Sequence, residues 1–258
     1  MGDVAAVPDG DTIRVAADGV QVEVDPVGPR LRGLTLNGVP YLAHGTASGA
    51  RLVGAEDGKP AQPLVADGTR WRVRSHNGGT MVFAADTTLA CNVVTAVSVG
   101  DFGLAVVHGI TNTGTDPVRV GVVADVHPAA GAAGVLTLCG QAPDLTDLVG
   151  ADSAEVTGRA VTALDLDVLI GGGRPLPGKT HVVHRLRAGE DRPGDGVRIW
   201  GEAEFEWTRA TVGSGSVRLD LRTYPPDAPA TDLHAIAPGE TKMLSWGMQP
   251  FELQGPTS

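Results

Sequence analysis

At 258 residues the chain can bury a large core, and all-β chains of this length are often one domain, here 1–258. Its formal net charge of −10 is dispersed, which excludes the basic surface that nucleic acids and anionic membranes select. Cys91 and Cys139 lack CxxC spacing, the pattern of a buried free pair in a reducing compartment. There is no N-terminal signal stretch and no apolar run of membrane length, so a cytoplasmic protein without a membrane partner is expected.

The elements read as strands from one end to the other. Thr12–Ala16 and Val20–Val24 alternate apolar and polar residues around Asp18-Gly19, a strong hairpin signal. Arg30–Leu36 and Pro40–Ala43 flank Asn37-Gly38, and Trp71–Ser75 and Thr80–Ala84 flank Asn77-Gly78-Gly79. After a strand at Asn92–Val99, the apolar runs Leu104–Ile110 and Val118–Ala124 enclose the turn residues Asn112–Pro117. They predict a hairpin whose return strand ends at Asp125-Val126-His127-Pro128. Proline cannot donate to the ladder and stops it there. His127 is therefore expected where a sheet presents a titratable group to a mouth or surface.

Further strands are expected at Ala163–Ile170, His181–Leu186, Val197–Trp200, Arg218–Arg222 and Thr241–Trp246. Glu202, Glu204 and Glu206 alternate with Phe205 and Trp207 and read as one more strand. Its carboxylates form a solvated face or, with Trp207 as a stacking platform, a carbohydrate cleft. Ala151–Ala160 has room for a helical turn or two, with weak apolar spacing. The fold class is all-β, and the favoured architecture is a large antiparallel β-sandwich.

Several segments, in order, resemble the aldose 1-epimerase (galactose mutarotase-like) family. Gly28–Gly38 is similar to the family's opening hairpin. Thr111-Asn112-Thr113-Gly114-Thr115-Asp116-Pro117 resembles its TNTGD-P turn, and Val126-His127-Pro128 its His-Pro-Tyr strand end. Leu219–Ala228 resembles the run Leu-Glu-Pro-x-Thr-x-Pro-Pro-Asp-Ala, and Pro238-Gly239-Glu240 a PGE strand start. Motifs that fall in the family's order carry more together than any one of them. The resemblance implies a supersandwich that binds a small-molecule carbohydrate or related cyclic hemiacetal. It implies isomerase chemistry with His127 as general acid and Asp220 as general base, needing no metal or organic cofactor. Other readings on the same fold are a non-catalytic carbohydrate-binding or regulatory protein and a repurposed acid–base enzyme.

Some positions depart from the family pattern. Asp220 stands where the family has Glu, and Ala129 where it has Tyr. Asp57–Pro63 fills the interval of an Asn-Arg and a Leu-His-Gly segment, and no Asp lies at Gly178–His181. Arg222 is read as a substrate-binding residue or, like Arg218, an ion-pair partner of Asp220; Trp207 and Glu204 are the other candidate substrate contacts. No His or Cys stands at a diagnostic metal spacing. His181 and His184, three apart on a strand, read as structural. His44, His76, His108 and His234 do too, and Gly171-Gly172-Gly173 reads as a loop without P-loop context. Trp71, Trp200 and Trp246 read as core.

Overall fold

The computed structural model describes residues 8–9, 12–36, 38–42, 45–129, 134–137, 166–171, 180–185, 196–213, 216–225 and 228–251. In chain order its strands are β1 (Pro8–Asp9), β2 (Thr12–Ala17), β3 (Val20–Asp25), β4 (Arg30–Leu36), β5 (Val39–Pro40), β6 (Gly49–Glu56), β7 (Gln62–Pro63), β8 (Arg72–Asn77), β9 (Thr80–Ala85) and β10 (Cys91–Gly100). There follow β11 (Gly103–Asn112), β12 (Val118–Val126), β13 (Gly134–Thr137), β14 (Leu166–Gly171), β15 (Thr180–Arg185), β16 (Gly196–Gly201), β17 (Trp207–Gly213), β18 (Ser216–Arg222), β19 (His234–Ile236) and β20 (Thr241–Phe251). Among the described residues the helical content is a single 3-10 turn at Ala230–Asp232, and no helix is long and apolar enough to cross a membrane. Cys139, Ala151–Ala160, His44, Gly172 and Gly173 lie outside the described residues.

The hairpin at Asp18-Gly19 forms as its sequence predicts, and β8 turns into β9 through Gly78-Gly79 with Asn77 still paired. β4 closes on β5 at the Leu36–Val39 pair, but β5 ends at Pro40 and does not run through the predicted Pro40–Ala43. At Asp18-Gly19 both residues take positive φ, 50° and 78°, the type I′ pattern that matches strand twist. The strands assemble into three antiparallel sheets. One is β1-β2-β3-β4-β5, one is β13-β15-β16-β20-β11-β10-β9-β8, and one is β14-β17-β18-β12-β6-β7, with β19 also pairing β12. The protein is all-β and a β-sandwich, as the alternating patterns predict.

One core cluster joins the sheets. Val118, Val120, Val122, Ala124 and Val126 of β12 belong to it, with Leu219 and Leu221 of β18 and Leu52 of β6. From the eight-stranded sheet come Val93, Val97, Val106, Ile110, Leu244, Trp246 and Met248, and Val15, Val22 and Val24 from the five-stranded one. Trp71 and Trp246 are buried, and Trp200 is half-buried.

The predicted Leu104–Pro128 hairpin does not exist. β11 pairs with β10 and β20 in one sheet, while β12 pairs with β6, β18 and β19 in the other. The tight turn lies earlier: Asp101-Phe102 closes β10 on β11 at the Gly100–Gly103 pair. With β20 on its other edge, β11 has no edge left for β12. Thr113–Pro117 is therefore an arch between sheets, organised by the buried Asn112. Asn112 Nδ2 donates to the carbonyls of Asp116 (2.8 Å) and Ile236 (3.0 Å), and its Oδ1 accepts from Gly114 N–H (2.9 Å).

The predicted strand through Glu202–Trp207 is also corrected. β17 begins at Trp207, and the glutamates lie in the connection from β16. Phe205 N–H donates to the Glu202 carbonyl (2.9 Å) and Glu206 N–H to that of Glu204 (3.0 Å). The fully buried Phe205 packs over Gly201, where a Cβ would lie 2.8 Å from its own. Burying that ring folds the segment back on itself, which an extended strand cannot do.

Candidate active site

Period-two alternation divides β12 into two faces. Val118, Val120, Val122, Ala124 and Val126 face the core, so Gly121, Val123, Asp125 and His127 face the other way. Register then builds a grid on this open face. Gly49 of β6 and Asp220 of β18 flank Asp125; Arg51 and Arg222 flank Val123 in the next row. Trp207 extends that row as the register partner of Arg222.

The end of β12 is fixed from three directions. His127 N–H donates to Oγ of the fully buried Ser48 (2.9 Å). Pro128 bridges Leu42, and Ala129 N–H donates to the Tyr41 carbonyl (3.0 Å). These contacts give the His127 ring a rigid base.

Asp125, two residues before His127 and so on its face, contacts the ring: its Oδ1 lies 3.0 Å from His127 Nε2. Arg218 grips the same carboxylate bidentately, Nε to Oδ1 and Nη2 to Oδ2, both at 2.9 Å. Burial raises the Asp125 pKa, but His127 and Arg218 together outweigh burial and hold it below the usual carboxylate value.

Asp220 is 6 % exposed, not an exposed surface carboxylate. Arg222 Nη2 donates to its Oδ2 at 3.2 Å. Arg218 Nε lies 3.2 Å from Oδ1, but its single hydrogen goes to Asp125. Oδ1 of Asp220 is thus a buried carboxylate oxygen in ion-pair contact with no hydrogen-bond donor. Asp220 and His127 are diagonal neighbours across the strand pair, a relation that puts the residues about 7–8 Å apart and their Cβ atoms somewhat closer.

A cavity of about 510 Å³ adjoins the grid. Asp125, Arg222, Tyr224, Arg51, Arg30 and Trp71 line it, closed on one side by the segment Pro63–Gly68. His127 and Asp220 stand beside this cavity and are not in its wall. Tyr224 lies over Gly121, where a Cβ would come within 2.6 Å of its ring. Burial pushes the Tyr224 hydroxyl up, opposed by the charges of Arg222 and Arg51. Among the described residues, no three His, Cys, Asp or Glu side chains converge to hold a metal ion.

His127, Asp220, Arg222 and Trp207 thus share one sheet face. Glu204 does not join them. It pairs with Lys242 of the eight-stranded sheet (Nζ–Oε1 2.8 Å), which holds its carboxyl below the usual value, near His234. His234 pairs in register with Val120, seven residues before His127, which is about 23 Å along an extended strand. The sequence reading missed Asp125, although its i, i+2 spacing to His127 already placed both on one face. It also missed Arg30, Arg51 and Tyr224, which only the register and the cavity bring in.

No protein-family model matches the chain, and no curated protein matches it in sequence. Solved structures do. A galactose mutarotase-like protein from Clostridium acetobutylicum superposes with a TM-score of 0.67 at 11 % identity, over 94 % of this chain and 95 % of that one. One from Lactobacillus casei gives 0.66 at 12 % identity over 93 % and 99 %. The GalM/aldose epimerase homologue from C. elegans gives 0.60 at 13 % identity over 94 % and 99 %. The chain therefore has the aldose 1-epimerase, galactose mutarotase-like fold, in a sequence-divergent form.

Proposed function

We propose that the protein interconverts the anomers of a sugar or related cyclic hemiacetal, with His127 as general acid and Asp220 as general base. The observation that carries this reading is that Asp220, whose Oδ1 has an ion-pair contact but no hydrogen-bond donor, stands one diagonal step from His127 on the same sheet face. Opening a hemiacetal needs two proton transfers. The Asp220 carboxylate removes the proton of the anomeric hydroxyl while protonated His127 delivers one to the ring oxygen. The bond between the anomeric carbon and the ring oxygen breaks, leaving an aldehyde. Rotation by half a turn and the reverse transfers close the ring with the other configuration and regenerate both groups.

The surrounding residues have roles in this scheme. Asp125 engages Nε2 of His127, and no other described residue bonds the ring, so Nδ1 is left for the substrate. Arg218 and Arg222 hold the two carboxylates apart in fixed positions. Trp207, half-buried at the end of the row, offers a stacking surface.

The test is polarimetry on freshly dissolved α-sugars. The wild type should accelerate the decay of rotation. His127→Ala and Asp220→Asn should each lose about 10²–10⁴-fold in rate, the usual share of a general acid or base. Decay no faster than buffer across a panel of aldoses would sink the proposal. One observation favours a second reading, a non-catalytic sugar-binding protein: His127 and Asp220 lie beside the cavity and not in its wall. Saturable binding without acceleration is its signature.

A further inference from the structure

The cavity has an unusual charge balance for a chain of net charge −10. Three guanidiniums line it, Arg30, Arg51 and Arg222, against the carboxylates of Asp67 and Asp125. Asp125 is engaged by Arg218 and His127, and Asp67 is exposed at the rim. Neither Arg30 nor Arg51 has a carboxylate partner among the described residues, whereas Arg218 and Arg222 on this face are paired.

The backbone places these groups deliberately. Gly49 stands beside Asp125 in the grid, and a Cβ there would lie 3.2 Å from Arg30 Cγ. The missing side chain lets the Arg30 stem lie across β6. Arg51 and Arg222 flank Val123 on either side, two strand spacings or about 10 Å between Cα atoms. Arg222 donates through Nη2 to Asp220 but leaves its buried Nε without an acceptor. Long guanidinium side chains can converge over Val123 from both sides.

This row lies two residues, about 7 Å, along the strands from the Asp125–Asp220 row. That step is on the scale of one sugar ring. We infer that the cavity binds an anionic substituent at the far end of the sugar, with Arg30 and Arg51 as its specificity-determining contacts and Arg222 shared between that anion and Asp220. The substrate class is a sugar bearing a carboxylate or a phosphoryl group. The inference rests on the proposed placement of the reacting end between His127 and Asp220, but its anion site stands on the cavity alone.

Calorimetry on the full chain tests it, with glucose, glucuronate and glucose 6-phosphate as probes. At low salt the anionic sugars should bind at least tenfold more tightly than glucose. Arg30→Gln and Arg51→Gln should each reduce that preference by about tenfold, the low end for hydrogen bonds to charged groups. Raising ionic strength should weaken binding of the anionic probes selectively. A preference for both anions, or for only one, supports the site and identifies its source chemistry. Equal affinity for all three probes, or a preference that survives both substitutions, overturns it. Both arginines are exposed, so the variants should melt like the wild type. Arginine-dependent anion binding without accelerated mutarotation would reject the proposed catalysis and leave this site standing; acceleration of neutral sugars alone would do the reverse.

Discussion

Asp125 matters because His127 has only one described partner for its ring. A ring anchored at Nε2 points Nδ1 in one direction; a free ring samples several. The carboxylate in turn is fixed by the two Arg218 hydrogen bonds, so the proposed acid and base are linked through one guanidinium that touches both Asp125 and Asp220. Asp125→Asn keeps the shape but removes the charge and one acceptor. Under the proposed mechanism it should lower kcat by about 100-fold, the cost of misplacing a reacting group by about an ångström. KM should change little, because Asp125 positions the acid and does not itself move a proton. A polarimetric kcat–KM split checks this; an unchanged kcat would remove Asp125 from the mechanism. The sequence made His127 visible through the strand-ending proline, and Asp220 through ordered motifs. It left Asp125 unnoticed because a carboxylate at a strand end is ordinary until register shows what lies across from it.

At the scale of elements, local chemistry and long-range pairing separate cleanly. The turns at Asp18-Gly19 and Gly78-Gly79 were legible because a two-residue positive-φ loop admits almost nothing but a hairpin. The segment Thr113–Pro117 carries equally strong turn chemistry, yet it bridges two sheets. Turn residues dictate where the chain reverses, not which strand it returns to. That choice was made by β20, which pairs with β11 from well over a hundred residues away. The Glu202–Glu206 segment misled for a related reason: alternation was present, but burial of Phe205 over Gly201 decided its path. The arch itself depends on Asn112. Asn112→Ala would strand the carbonyl of Ile236 in a buried setting and leave the part-buried Asp116 carbonyl and Gly114 N–H to water. The buried carbonyl costs about 1–3 kcal/mol and the two part-buried groups less, so the loss should be about 2 kcal/mol, read as a lowered urea midpoint at constant slope.

For the whole molecule, the buried titratable groups set an acid limit. His108 lies on β11 in the core, bonded to Thr95 of β10 and Trp246 of β20. Trp246 Nε1–H donates to His108 Nε2 at 3.1 Å, so Nε2 is an acceptor and the ring is neutral, with its proton on Nδ1 beside Thr95 Oγ1 at 2.9 Å. Burial pushes the His108 pKa down from 6.5 to about 4. Between those values the unfolded chain binds a proton that the folded protein refuses. Stability from this group is therefore complete above pH 6.5 and is lost as pH falls towards 4. A shift of that size corresponds to about 3 kcal/mol. His234, lowered first by burial and then by Lys242, acts with the same sign. Asp125, held below its usual value of 3.8, adds its loss at lower pH still. Urea unfolding at pH 7 and pH 4.5 should show the wild type distinctly weaker at the lower pH. His108→Gln offers Trp246 an amide oxygen that cannot titrate, so its stability should fall less over the same interval. A wild type equally stable at both values would show that protonation of His108 is not resisted by the core.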